Sequence, residues 1–414
     1  MNYRMPTGKL VIGAYILQPY AQTEQHIKEL AECGIELIVC LAPKDRTVLD
    51  LLEKYGVGCI LSGIFPPWWG GNGSKAGQMH QINDFLRYQK ALEEFSDHPA
   101  VWGIDIGDEP SALDFEYLNS IAQLLNASPF ELVPYLNLYP NYAAVSQNSD
   151  GEALNQLGTA SYAEYIERYV QEVDLPYLSY DFYLYPQTKN HNVAKMMENF
   201  RIVSDACRKS GKDFWYIPQV NDRRPDAEPP SLNMLRYQSY IALCFGATVI
   251  NWACYTGGWW FHNVLDLQGN KTEQYEKLKS MNRELRIIGE RYMQYRTVST
   301  HLVGFEEEIA SLGLAELKSL DRFNCGFAKD LSTDTAKLVI GQMVHRSDSG
   351  RYGLFLCNAS DPCDEHPSTA SISFASTGRT VSIYSGDAPV LLSKNGDRYS
   401  FELPSGAGVL ITFD

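Results

Sequence analysis

Val101-Trp102-Gly103-Ile104-Asp105-Ile106-Gly107-Asp108-Glu109-Pro110 decides the reading of this chain. An apolar run ends abruptly in adjacent carboxylates and a proline, which is how a parallel barrel strand delivers an acid to the open end of the barrel. Pro110 and Ser111 stop the strand, and Ser111 with Asp114 three residues on reads as a capping box for a helix carrying Leu118, Ile121 and Leu125. Negative charge at a helix N-terminus accounts for one of the two acids. Side chains alternate along a strand, so Asp108 and Glu109 are expected on opposite sides, with Asp105, Gly107 and Glu109 sharing one. A buried Asp105 beneath Glu109 is costly for a purely structural strand, which favours a functional role for Glu109.

Outward from that stretch, short apolar runs alternate with helical patterns. The runs cover 10–16, 35–41, 58–64, 101–107, 131–138, 177–182, 214–220 and 248–255. Eight strands with helices between them is the count of a TIM (β/α)8 barrel, an α/β fold. Thr23 and Gly34 bracket the first helix, and further helices are expected near 81–95, 162–173, 193–209 and 232–245. No glycine-rich phosphate loop follows an early strand, which disfavours a doubly wound sheet. Near Ser299 the pattern changes to strands joined by tight turns: 337–345 and 351–358, then 370–374, then 390–393 and 398–403 around Lys394-Asn395-Gly396-Asp397, and last 408–413. The expected division is a barrel over 1–298 and a small antiparallel β-sandwich over 299–414.

The chain has 414 residues, 45% of them hydrophobic, and a formal net charge of -15. That length suits a large barrel with an appendage. The acidity, with no basic stripe, argues against nucleic acid. The nine cysteines, among them Cys33, Cys40, Cys59, Cys207, Cys244 and Cys254, lack CxxC pairs or metal-ligand spacing, as a reducing compartment allows. No run reaches membrane-span or signal-peptide length, so a cytoplasmic protein with no membrane partner is expected.

Chemistry in such a barrel gathers at the C-terminal strand ends. Strand three runs into Trp68 and Trp69, strand five into Asn137 and Tyr139, strand six into Asp181 and Tyr183, strand seven into Gln219, and strand eight into Trp252 and then Trp259. Each aromatic alone is ordinary packing. Together, flat rings, directed amides and carboxylates suit a carbohydrate partner. No His/Asp/Glu trio has metal spacing, no cofactor motif occurs, and Cys254 has no histidine base to make it a nucleophile.

The set Gly107-Asp108-Glu109-Pro110, Tyr135-Leu136-Asn137-Leu138-Tyr139-Pro140-Asn141-Tyr142, Asp181-Phe182-Tyr183 and Leu265-Asp266-Leu267-Gln268-Gly269-Asn270-Lys271-Thr272 resembles the clan A glycoside hydrolases, in particular glycosidase-like barrels of glycan-degrading bacteria. The resemblance spans most of the barrel. It implies that Glu109 is the acid/base, with Asp108 where the clan has a sugar-contacting asparagine. It also implies a glutamate nucleophile at the end of strand seven, where this chain has Gln219, a neutral amide that cannot form a glycosyl ester. Either another carboxylate serves, with Asp181 the best placed, or the enzyme inverts, or hydrolysis has been lost and the barrel only binds carbohydrate. As general acid Glu109 would need a raised pKa, which Asp105 and Asp108 could supply by like-charge repulsion.

Overall fold

A computed structural model describes residues 3–65, 73–82, 92–145, 155–185, 190–222, 224–257, 260–312, 318–334, 336–363, 368–376 and 378–414. The eight expected barrel strands are β1 (Val11–Tyr15), β2 (Leu37–Leu41), β3 (Gly58–Leu61), β4 (Val101–Asp108), β5 (Val133–Asn137), β6 (Tyr177–Asp181), β7 (Asp213–Ile217) and β8 (Ala247–Trp252). They form one parallel sheet in the order β5-β4-β3-β2-β1-β8-β7-β6. A parallel bridge between Leu138 and Tyr180, with the Leu138 N–H donating to the Ser179 carbonyl at 2.9 Å, joins β5 to β6 and closes the barrel. All of these strands except β7 at Asp213 are largely buried, as expected where helices cover the outside and side chains fill the inside.

Local sequence sets the helix starts. Thr23 caps Glu24–Glu32, Ser161 caps Tyr162–Glu172 and Thr272 caps Glu273–Tyr292, each side-chain oxygen accepting a first-turn N–H. Ser111 caps too, but not through a box with Asp114: it accepts the Leu113 N–H of a short 3-10 turn, and the α-helix begins at Phe115. The Asp114 carboxylate instead accepts the N–H groups of Gly77 and Met79 at 2.9 and 3.0 Å, tying down the connection after β3.

Rings fill the barrel interior. Tyr15 on β1 and Tyr135 on β5, from opposite walls, approach to 6.1 Å between centroids, and Tyr177 stacks on Trp215 at 3.8 Å.

After the last barrel helix, β9 (Tyr295–Val303) pairs antiparallel with β12 (Leu338–His345), so strand structure begins ahead of the expected division at 298. A six-stranded sheet, β10 (Ser319–Leu320), β9, β12, β13 (Tyr352–Asn358), β18 (Gly408–Phe413) and β15 (Val381–Ser385), faces a four-stranded sheet of β11 (Ala328–Thr333), β14 (Thr369–Ser376), β17 (Arg398–Pro404) and β16 (Ser393–Asn395). Ile340, Leu354, Phe374, Phe401 and Ile411 fill the space between them. The other face of the larger sheet, with Val339, Met343, Phe355 and Leu410, joins the barrel's own core. Contact there is close enough to require glycine: a Cβ on Gly341 would lie 2.3 Å from the Cys244 carbonyl oxygen, and one on Gly408 would lie 2.5 Å from the Tyr240 ring. Among the described residues no helix is long and apolar enough to cross a membrane.

Candidate active site

The strand-four motif does not follow simple alternation. Asp105 pairs with Tyr135, but Gly107 pairs with Leu136 and Asp108 with Asn137, so β4 carries one extra residue at this point. This bulge shifts the phase of the strand and brings Asp105 and Asp108 into mutual range. The expected grouping of Asp105, Gly107 and Glu109 on one side is therefore overturned. A second irregularity lies between Ile38 and Leu41 on β2, where Cys40 adopts a left-handed φ of 58°. Cys40 Sγ reaches Asp105 Oδ2 at 3.6 Å, and the Gly107 N–H donates to Asp105 Oδ1 at 3.1 Å.

Asp108, Asn137 and Asp181 form the centre of the site. Asn137 Nδ2 donates to Asp181 Oδ1 at 2.7 Å and to Asp108 Oδ1 at 3.2 Å. Its carbonyl oxygen accepts from Ser179 Oγ at 3.1 Å. Asp181 and Asn137 are buried, whereas Asp105, Asp108 and Glu109 keep part of their surface open while enclosed in the barrel, as groups lining a recess do. Burial pushes the Asp105 carboxyl up to about 7, against hydrogen bonds from Gly107 and Cys40 that pull it down. Burial, then repulsion from Asp181 and Asp105, pushes Asp108 up to about 8, with Asn137 opposing. Two acids at the barrel mouth thus hold protons near neutrality.

Glu109 follows Asp108 with a left-handed φ of 46°, and its N–H donates to the Asn137 carbonyl at 2.8 Å. That conformation costs a non-glycine residue about 1–2 kcal/mol, a strain often found at functional positions. Its carboxylate lies toward Tyr139, whose phenol is raised by burial and then by Glu109 and Asp108. Tyr183 is likewise raised by burial and then by Asp181. Glu109, Asp108, Asn137, Tyr139, Asp181 and Tyr183 are therefore gathered in one place.

Strand seven differs from expectation. β7 ends at Ile217, which pairs with Asp181; beyond Pro218 the chain keeps a single parallel bridge to the β8 side, Gln219 with Ala253. Ile217 packs with Ala253, Cys254 and Trp260, against Tyr15, Ile16 and Tyr183, so the wall that runs from beside Asp181 across β8 to β1 is largely apolar. Gln219 is fully buried, and both ends of its side chain are taken by one residue: Oε1 accepts the Tyr185 N–H at 3.0 Å and Nε2 donates to the Tyr185 carbonyl at 3.1 Å. This places Gln219 within the barrel wall rather than in the recess.

Trp252 also departs from its expected place at the mouth. It is fully buried, and its Nε1 donates to Asn282 Oδ1 at 2.8 Å on the outer helix Glu273–Tyr292. Trp68, Trp69 and Trp259 lie outside the described residues. The described aromatic pair at the mouth is Tyr183 with Trp260, edge to face at 4.7 Å. Tyr15, Cys40, Cys254 and Trp260 were not among the expected site residues. Trp260 was signalled only by its adjacency to Trp259, because parity within a loop cannot be read from sequence. Among the described residues no group of three His, Cys, Asp or Glu side chains could hold a metal.

No protein-family model and no curated protein matches the chain. Among solved structures, a family 39 glycoside hydrolase from the gut symbiont Bacteroides cellulosilyticus WH2 superposes with a TM-score of 0.53 over 98% of this chain and 81% of that one, at 10% identity. A family 30 subfamily 8 xylanase from Clostridium acetobutylicum has a TM-score of 0.49 at 11% identity, covering 98% and 96%. At such identity the likeness is one of fold: the chain shares its fold with that family 39 glycoside hydrolase.

Proposed function

We propose that the protein is a glycoside hydrolase, with Glu109 as general acid/base and Asp181 as the second carboxylate. The observation that carries this reading is the Asn137-bridged pair of Asp108 and Asp181 next to Glu109 at the C-terminal end of the barrel. The two bridged oxygens can be no farther apart than bonds of 2.7 and 3.2 Å laid end to end, so Asp108 and Asp181 lie close enough to repel each other's charge. Burial and its acidic neighbours favour the protonated form of Asp108, and this scheme takes Asp181 as its ionised partner. In this scheme Asp181 attacks the anomeric carbon while Glu109 protonates the departing oxygen, and Glu109 then deprotonates the water that releases the sugar. Tyr183, partly exposed and packed edge to face on the buried Trp260, supplies the aromatic surface for the ring.

A second reading, a carbohydrate-binding barrel without turnover, draws on Ile217: the strand-seven residue beside Asp181 has no ionisable group. A glycoside panel, followed by intact mass after incubation with a fluorinated activated glycoside, separates the two. Hydrolysis with an adduct on Asp181, lost in Asp181→Asn, supports the enzyme. Binding without sugar release or adduct supports the second reading.

A further inference from the structure

The side chain that bridges the two aspartates is itself held by a buried chain of hydroxyls. Ser179 Oγ donates to Asn137 Oδ1 at 3.1 Å and lies 3.3 Å from Tyr135 Oη. A serine has one proton to give, so with Ser179 donating to Asn137 it must accept from Tyr135. Burial raises the Tyr135 phenol, which therefore remains a donor throughout the ordinary pH range. The direction of every bond is then fixed: Tyr135 to Ser179, Ser179 to Asn137, and the Asn137 NH2 to both carboxylates. A rotated amide would present its oxygen to Asp181 and Asp108 and would favour protonation of both.

We propose that Ser179 is a positioning residue, which locks the Asn137 amide with its NH2 toward Asp108 and Asp181 and so keeps that pair singly protonated, one proton and one charge, across neutral pH. Among the described groups around the pair are Asp105 and Glu109 on and after β4, Cys40 on β2, Cys254 after β8 and the phenols of Tyr139, Tyr183 and Tyr216, all of them acids that carry no positive charge. Of the groups acting on Asp108, Asn137 is the one that favours its ionised form. The proposal deepens the hydrolase reading by naming what prepares its second carboxylate, but it is tested by proton uptake and needs no turnover.

The test is a carboxyl 13C titration of aspartate-labelled protein, with the two resonances assigned by their loss in Asp108→Asn and Asp181→Asn. In Ser179→Ala the ionisation that leaves the pair singly charged should move up by about one pH unit or more, the scale expected when a carboxylate loses a directed donor. Ser179→Thr, which keeps the hydroxyl, should restore it, and Asn137→Leu should move it at least as far as Ser179→Ala. Melting temperature checks that each variant is folded; should Ser179→Ala fail to fold, Ser179→Cys, with its weak donor, takes its place and should show an intermediate shift. An unchanged titration in the hydroxyl-deleted protein, or a threonine variant that behaves like alanine, overturns the proposal. Absence of hydrolysis in wild type would defeat the hydrolase reading and leave this titration standing.

Discussion

Replacing Asp105 by asparagine should stabilise the protein at high pH and leave it unchanged at low pH. Asp105 has an ordinary carboxyl value of 3.8 in the unfolded chain and is raised to about 7 in the fold by burial. A raised carboxyl binds its proton more tightly in the native state, so its favourable contribution is complete below the unfolded value and is lost as pH rises through the folded one. About three pH units correspond to about 4 kcal/mol at most, and the part of Asp105 that water reaches lowers this to about 2–3 kcal/mol. Asparagine has nearly the shape of the protonated acid and keeps an oxygen for the Gly107 N–H, so below pH 4 the two proteins should melt alike. The assay is thermal or denaturant unfolding of both proteins at intervals from pH 3.5 to 9. The difference should open between about pH 4 and 7 and then level off. A gap that stays constant across the series would refute the argument, because a packing effect does not titrate.

Glu109→Gln should fold normally and lose about 100-fold or more in turnover on glycosides with poor leaving groups, with activated aryl glycosides less affected; equal activity on both would remove Glu109 as the acid. Gln219→Glu should not create a nucleophile but should destabilise the barrel by about 3 kcal/mol or more at neutral pH, because a buried carboxylate would face the Tyr185 carbonyl where an amide now donates, and the loss should shrink in acid. Denaturation at pH 7 and pH 4 measures it, and a stable, newly active variant would contradict it. Trp252→Phe should cost about 1–3 kcal/mol by leaving the Asn282 oxygen unpaired, with no change in glycan affinity by titration calorimetry.

The barrel was legible because its eight strands are apolar runs separated by helices, a pattern that needs no knowledge of which face is which. The same property hides side-chain direction: both faces of a parallel strand are buried, so Trp252 pointing at an outer helix and Trp252 pointing at the mouth read alike. Strand four misled for a different reason. Its bulge is a register difference from β5, and nothing in Asp105-Ile106-Gly107 announces it. On strand seven the run continues to Val220 and still bridges Ala253 at Gln219, but the Gln219 side chain is taken up by the Tyr185 backbone, a partner from another connection that the sequence does not announce. The gathering of Glu109, Asn137, Tyr139, Asp181 and Tyr183 needed only strand ends, whereas the bridge from Asn137 to both aspartates needed distances.

The glycines that let β12 and β18 lie against the barrel helices also decide how the protein can be taken apart. A sheet with one face in the sandwich core and the other in the barrel core is shared masonry, not an attached module. Arg236 clamps the same seam from the barrel side, paired with Glu284 on the neighbouring helix and with Asp387 of the β-domain. Cutting the chain after the last barrel helix would strip the cover from Cys244 and Tyr240 and leave an aggregation-prone flank. Anyone transplanting this active site into another scaffold must therefore carry all of the β-domain with it.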